Sequence, residues 1–215
     1  MKLTRERESI VEVCRRMYMR GLISGGQGNV SVRLGSEAIL ITPTGINKGF
    51  VKPEDLVVAD MDGRRVETGM GDGAVSSEVK VHLAAYRVRK DCRAVVHAHP
   101  ATSVALTLAG VSLEPVYLPE SVITLGIVPT GTYATPSSAE LARGVELLAA
   151  NHDVIMMERH GAVCLGPDPF AAYDRLESLE HNSRILLMAR LAGTPRPLPE
   201  DEIARLLSIA EAMRK

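Results

Sequence analysis

Three kinds of residue in this chain can do chemistry together: imidazoles, one carboxylate beside a pair of serines, and short loops rich in glycine and hydroxyls. Two of the six histidines stand as His97-Ala98-His99, at the end of the strongly apolar run Ala94–His97. On a strand, side chains at i and i+2 share a face and lie about 7 Å apart along it. Two imidazoles placed this way can share one metal ion. A third, His160, ends another apolar run in VIMMERHG, and Gly161 beside it permits close backbone approach. Three imidazoles with an open fourth position describe a catalytic Zn2+ site, whereas structural sites are closed. The cysteines agree with this, because Cys14, Cys92 and Cys164 are far apart and form no CxxC pair. They read as buried thiols of a reducing compartment. A histidine on a strand is otherwise a hydrogen-bonded core residue, so the metal reading requires a carboxylate and a substrate pocket.

Glu78, in SSEVKVH at the start of an expected helix, is the candidate carboxylate. It can complete the ligand set at rest and act as acid or base once substrate displaces it. The plainer alternative is a favourable interaction with the helix dipole, worth about 0.3–1 kcal/mol. His82, one turn later on the same face, is expected to support or pack, since a fourth imidazole would close the site. Gly28-Asn29, Thr44-Gly45 and Ser76-Ser77 each offer a backbone N–H near a glycine or a helix start. Such groups bind anions without net positive charge, although singly each also reads as a turn or a cap. Neither a GxGxxG fingerprint nor a Walker lysine is present.

The elements that must carry these residues follow from periodicity and punctuation. A helix is expected from about Thr4 to Arg20, ended by the glycine-rich SGGQG at 24–28. Strands are expected at Asn29–Arg33 and Ala38–Thr42, then at Leu56–Met61 and Arg65–Glu67 as a hairpin across Asp62-Gly63. Ser77–Arg89 reads as a helix and Ala94–His97 as a buried strand. Ser137 with Glu140 predicts a capping box, opening a helix with Leu141, Val145 and Leu148 on one face. Asp153–Met157 and Ala162–Leu165 read as strands. Asp168 as cap, Pro169 at the first helical position and Gly193 beyond the end delimit a long helix, and Glu202–Met213 forms a last one. Helices alternating with strands give an α/β class. No repeat or linker divides the 215 residues, so residues 1–215 read as one domain.

Composition excludes some functions. The net charge of −1 carries no basic stripe for phosphates of nucleic acid, and the N-terminal arginines are interleaved with Glu6, Glu8 and Glu12. No window holds the roughly 18 continuous apolar residues of a membrane span, and MKLTRERESI has no apolar core of a secretory signal. A cytoplasmic protein is expected, with no nucleic-acid or membrane partner.

Taken in order, GNVSVR, LITPTGI, SSEVKVH, AVVHAHP and ERHG resemble the class II aldolase/adducin family, most of all its L-fuculose-1-phosphate aldolase branch. The resemblance runs from about Val13 to about Leu191. It implies a three-layer αβα domain with a central, mostly antiparallel sheet, and a homotetramer with active sites between subunits. It makes His97, His99 and His160 the ligands of one Zn2+ per subunit, with Glu78 as fourth ligand and acid/base. It matches Gly28, Asn29, Thr44, Gly45, Ser76 and Ser77 to the phosphate-binding positions. The implied reaction is reversible cleavage of a ketose 1-phosphate to dihydroxyacetone phosphate and a small aldehyde such as lactaldehyde, through a metal-stabilised enediolate. The family also places a tyrosine of the neighbouring subunit at the aldehyde end; in VYLPESVITLG the candidates are Tyr117 and Glu120. Sister activities of the family are the alternatives: a methylthioribulose-1-phosphate dehydratase, a decarboxylase or a 4-epimerase, which carries Asp where Glu78 stands. A non-catalytic adducin-like interaction module is a further one, and it predicts lost metal ligands, all of which are present.

Overall fold

The computed structural model describes residues 4–66 and 71–213. Helix α1 (Thr4–Met19) leads into strands β1 (Asn29–Leu34), β2 (Ala38–Ile41), β3 (Val57–Asp60) and β4 (Arg65–Val66). Helix α2 (Val79–Val88), strand β5 (Ala94–Ala98) and helices α3 (Ala101–Leu108) and α4 (Pro119–Thr124) follow. Then come β6 (Thr130–Gly131), α5 (Ala139–Ala149), β7 (Val154–Met157), β8 (Gly161–Gly166), α6 (Pro169–Ala192) and α7 (Glu200–Met213). These strands form one sheet in the order β4-β3-β2-β1-β5-β8-β7-β6. Every neighbouring pair is antiparallel except β6 beside β7.

Helices cover both faces of the sheet, giving the expected three layers. Strands β5 and β8 are buried along their whole length, which is why they read as unbroken apolar runs. Alternation then sorts their side chains. Ala94, Val96 and Ala98 join Ile10, Cys14 and Met17 of α1 and Leu176 of α6. Val95, Val163 and Leu165 join Leu83 of α2 and Leu141 and Val145 of α5. By the same parity Asn29 and Ser31 of β1, and His97 of β5, point to the α2 side. Asn29 sits directly opposite His97, and Ser31 opposite Val95.

The caps of α6 are as expected: Asp168 accepts from Ala171 N–H, Pro169 opens the helix and Gly193 closes it. The Asp62-Gly63 turn is present, with Asp60 Oδ1 accepting from the N–H groups of Asp62 and Arg64. Glu67 lies outside the described residues. Two expectations are corrected. Ser138, and not Ser137, caps α5 by accepting from Leu141 N–H at 3.0 Å, because Ser138 is extended while Ser137 is left-handed at φ 65°. Helix α2 begins at Val79 with Glu78 as its cap residue, two positions later than expected. The elements α3, α4 and β6 were not anticipated, being eight, six and two residues long; such lengths give periodicity too few residues to register. Among the described residues no helix is long and apolar enough to cross a membrane.

Candidate functional site

At the end of the sheet centre, four side chains from three segments converge. His97 is fully buried in β5, and its Nδ1–H donates to the Ala162 carbonyl of β8 at 2.9 Å. That bond fixes the tautomer and leaves the Nε2 lone pair facing outward, as metal-ligating imidazoles require. His99 lies just beyond the end of β5 and is not a second rung of the strand. Its backbone N–H donates to Leu22 O at 3.1 Å, so the chain turns and its ring swings against that of His97. His160 sits in the tight turn between β7 and β8, where Arg159 takes a left-handed φ of 60°. The rings pack so closely over Gly161 that a Cβ there would lie 2.8 Å from His99 Cδ2 and 3.1 Å from His97 Cε1. Glycine is therefore required at that position. Glu78 makes no capping bond with its side chain; the carboxylate reaches across to the imidazoles instead, contrary to the plain helix-dipole alternative.

The geometry fits a shared cation. One donor atom from each of Glu78, His97, His99 and His160 lies within 4.8 Å of all the others. The three ring centroids are 4.9, 5.0 and 5.0 Å apart. His99 Nε2 is 3.1 Å from His97 Nε2, close to the separation of about 3.3 Å set by two ligands at 2.0–2.1 Å in a tetrahedron. Glu78 Oε1 stands 2.9 Å from His160 Nε2, yet this buried oxygen lacks the alignment of a hydrogen bond. His160 Nδ1 is likewise buried without a partner. Glu78 Oε1 and the Nε2 atoms of His97, His99 and His160 thus crowd one point, the kind of donor set that a divalent ion satisfies.

Electrostatics supports ligation. Burial opposes ionisation of Glu78, but the adjacent His160 and His97 outweigh it and hold the carboxyl below its usual range. Burial, then the charges of His97 and His160, push His99 down to about 3. It is neutral near pH 7, the form that offers a lone pair.

The expected anion loops gather beside this cluster. Pro43 bridges Val75, and Thr44 N–H donates to Ala74 O at 3.0 Å, so Thr44-Gly45 runs next to Ser76-Ser77. Gly28 at φ +71° is wedged against Ile23 and the His97 carbonyl, and Asn29 Nδ2 donates to Glu78 Oε2 at 3.0 Å. Thr44, Gly45 and Ser77 face solvent, while Gly28, Asn29 and Ser76 are buried. Lys48, which sequence reasoning missed, is buried here and donates from Nζ to Gly26 O at 3.0 Å and Ile46 O at 2.7 Å. It ties two of the loops together, and burial pushes its ammonium down. In TGINKGF nothing distinguishes it from a surface lysine.

Tyr117 and Glu120 are elsewhere. Tyr117 lines a mostly apolar cavity of about 240 Å3 with Leu113, Leu125, Leu179 and Leu186, and Glu120 is exposed in the first turn of α4. Neither belongs to the four-residue cluster.

Comparison with known proteins identifies the family and the fold. The family description "Class II Aldolase and Adducin N-terminal domain" matches residues 8–187. The chain is 34% identical over 183 residues to an L-fuculose phosphate aldolase of Methanocaldococcus jannaschii, covering 85% of this chain and 96% of that one. It is 32% identical over 185 residues to a 3-oxo-tetronate 4-phosphate decarboxylase of Haemophilus influenzae, covering 84% and 86%. Among solved structures, an L-fuculose 1-phosphate aldolase superposes with a TM-score of 0.89 at 26% identity, covering 100% of this chain and 99% of that one.

Proposed function

The chain belongs to the class II aldolase and adducin family, and from that premise we propose that it reversibly cleaves a ketose 1-phosphate, of the L-fuculose 1-phosphate type, to dihydroxyacetone phosphate and a small aldehyde. The observation that carries the proposal is the convergence of Glu78 with three imidazoles beside neutral, glycine-rich loops. The relatives it matches are named as aldolases and decarboxylases, and retention of all four candidate ligating side chains favours a catalytic member over a non-catalytic module. His97, His99, His160 and Glu78 would hold one divalent cation, Zn2+ by the choice of three imidazoles. When bound, that cation polarises the ketone and stabilises the negative charge that develops on its oxygen.

The chain's own residues do the rest. Gly28, Asn29, Thr44, Gly45, Ser76 and Ser77 hold the phosphate, with Lys48 behind them as the nearby positive charge. Binding energy at that end orients the reacting end. The C3–C4 bond breaks as the C4 hydroxyl loses its proton and becomes the aldehyde. The electron pair flows toward the C2 ketone, and Glu78, which takes up a proton from water once substrate displaces it from the ligand set, passes that proton to C3 to complete dihydroxyacetone phosphate. Tyr117 or Glu120 of a neighbouring subunit in a homotetramer would take the hydroxyl proton, since neither reaches the cluster within one chain. The described fold has no membrane-spanning helix, and its free cysteines are buried, in keeping with a cytoplasmic enzyme.

A second reading is favoured by the similarity to the decarboxylase. Loss of CO2 from a four-carbon 3-oxo acid 4-phosphate breaks the bond to the carboxyl carbon and sends the electron pair to the same ketone. The purified chain with Zn2+ should be given each substrate class separately. Release of dihydroxyacetone phosphate with an aldehyde from the ketose 1-phosphate is expected. Release of CO2 from the oxo acid, with no cleavage of any ketose 1-phosphate, would replace the aldolase reading by the decarboxylase one.

A further inference from the structure

Behind Glu78 runs a buried polar ladder that the reaction scheme leaves unused. Helix α2 and its cap present Glu78, His82 and Tyr86 at intervals of four residues, and β1 presents Asn29 and Ser31 at an interval of two. Four helical residues rise about 6 Å and two strand residues about 6.6 Å, so the two rows interleave. Asn29 Nδ2 donates to Glu78 Oε2 at 3.0 Å, and Asn29 Oδ1 meets His82 Nε2. His82 Nδ1 is 2.7 Å from Ser31 Oγ, which is 2.8 Å from the Tyr86 hydroxyl. Ser31, His82 and Tyr86 have no solvent exposure, and Asn29 has 3%.

Only one placement of protons satisfies the whole ladder. An ionised carboxylate accepts and cannot donate, so the amino group of Asn29 must face Glu78. Its carbonyl then needs a donor, which is His82 Nε2–H. A neutral imidazole has one N–H, so Nδ1 must accept from the Ser31 hydroxyl. Ser31 Oγ then accepts from the Tyr86 hydroxyl, whose single proton is shared between Ser31 Oγ at 2.8 Å and Ser31 O at 3.1 Å. Burial, followed by the charge of His97, pushes His82 down to about 3 and keeps it neutral.

We infer that His82 is a positioning residue for Glu78: held as the Nε2–H tautomer by Ser31, it locks the Asn29 amide with its amino group on Glu78 Oε2. The lock holds Oε2 in a fixed place, so that Oε1 is turned toward His160, and it keeps Asn29 Oδ1 from turning against the carboxylate. This rests on Glu78 being the proton-moving group proposed above. His82 itself touches neither substrate nor the cluster's ligand atoms.

The first test reads the ladder without turnover. The intact chain, labelled with 15N in its histidine rings, is followed by long-range proton–nitrogen NMR, zinc-loaded and after chelation, with His82 assigned by its loss in His82→Gln. The expected result is one neutral Nε2–H form of His82 near pH 7 in both samples, and a mixture of tautomers in Ser31→Ala. A neutral Nδ1–H form in the unsubstituted chain would overturn the inference, whatever the reaction proves to be. The second test follows proton exchange into dihydroxyacetone phosphate. His82→Leu should lower kcat about tenfold to hundredfold with KM and bound zinc near the parent values, and His82→Gln, whose amide can donate to Asn29, should recover most of it. Equal rates in His82→Leu and the parent, or equal losses in both variants, would contradict the positioning role. If His82→Leu does not fold, Ser31→Ala takes its place, with a smaller loss of kcat expected and an unchanged kcat contradicting the inference.

Discussion

The metal-centre end of the sheet and the helical cap formed by α4 and α7 use similar apolar residues to opposite effect. At the first, His97 is clamped between β1 and β8 by strand register, with helices packed on both faces. At the second, Val116, Val122 and Leu206 form a small separate cluster with Ile203 and Leu207, and Leu187, Met188, Leu191 and Ile209 remain exposed nearby. One region is finished within a single chain, and the other presents Tyr117 and Glu120 without giving them a partner in the cluster. Groups needed in every catalytic cycle to hold charge sit where two faces of packing fix them. Tyr117 and Glu120, proposed above to act at the aldehyde end, sit apart from that packing, beside an apolar cavity and on an exposed helix turn.

Substitutions should separate the two regions. His97→Ala, the largest effect, should abolish bound zinc and reduce turnover more than about 100-fold, with circular dichroism showing an intact fold. Full activity in a variant shown to be free of metal would erase the distinction between the regions. Lys48→Met removes the charge behind the loops while keeping length; KM for a phosphorylated substrate should rise about tenfold or more with kcat little changed. A fall in kcat alone would place Lys48 outside the phosphate site. Tyr117→Phe and Glu120→Gln should change proton exchange into dihydroxyacetone phosphate by less than about threefold, yet slow condensation with an aldehyde about tenfold or more. Equal effects on both assays would mean that the cap belongs to the same unit as the metal centre.

The smallest effect expected is on acid stability of the metal-free chain. His82 has a folded-state value of about 3 against 6.5 for the exposed group, so between those values the unfolded chain binds more protons. Its contribution is complete above pH 6.5 and is lost as pH falls toward 3. His99 is depressed in the same direction. Amide protection factors, taken against the intrinsic rate at each pH, should therefore fall first around β1, β5 and α2 on acidification, and later around α4 and α7. The reverse order would contradict the assignment of these buried neutral imidazoles.

Much of the site was legible because its residues interrupt patterns. His97 and His160 end apolar runs that β-sheet burial on both faces explains, and Asp168 and Gly193 mark a helix by local hydrogen bonding alone. Strand direction was not legible from pattern, because alternation is the same in parallel and antiparallel sheets. The ladder through Asn29, His82, Ser31 and Tyr86 escaped notice for a related reason. Its members share a face only once β1 is known to lie beside β5 and under α2, which is a tertiary fact. His99 was placed on the strand because spacing shows parity but not where a strand stops. Lys48 looked like any surface lysine until two backbone carbonyls closed around it.

The central proposed step is the removal and return of a proton on carbon beside a ketone by Glu78 at the imidazole cluster. Proton–deuterium exchange at C3 of dihydroxyacetone phosphate, followed by NMR in heavy water, needs no aldehyde and tests this step alone. The zinc-loaded chain should exchange the proton stereospecifically, while the chelated chain and Glu78→Gln with its metal verified should lose about 100-fold or more of that rate. Exchange that survives chelation, or that is absent from a chain holding one zinc per subunit, would contradict it.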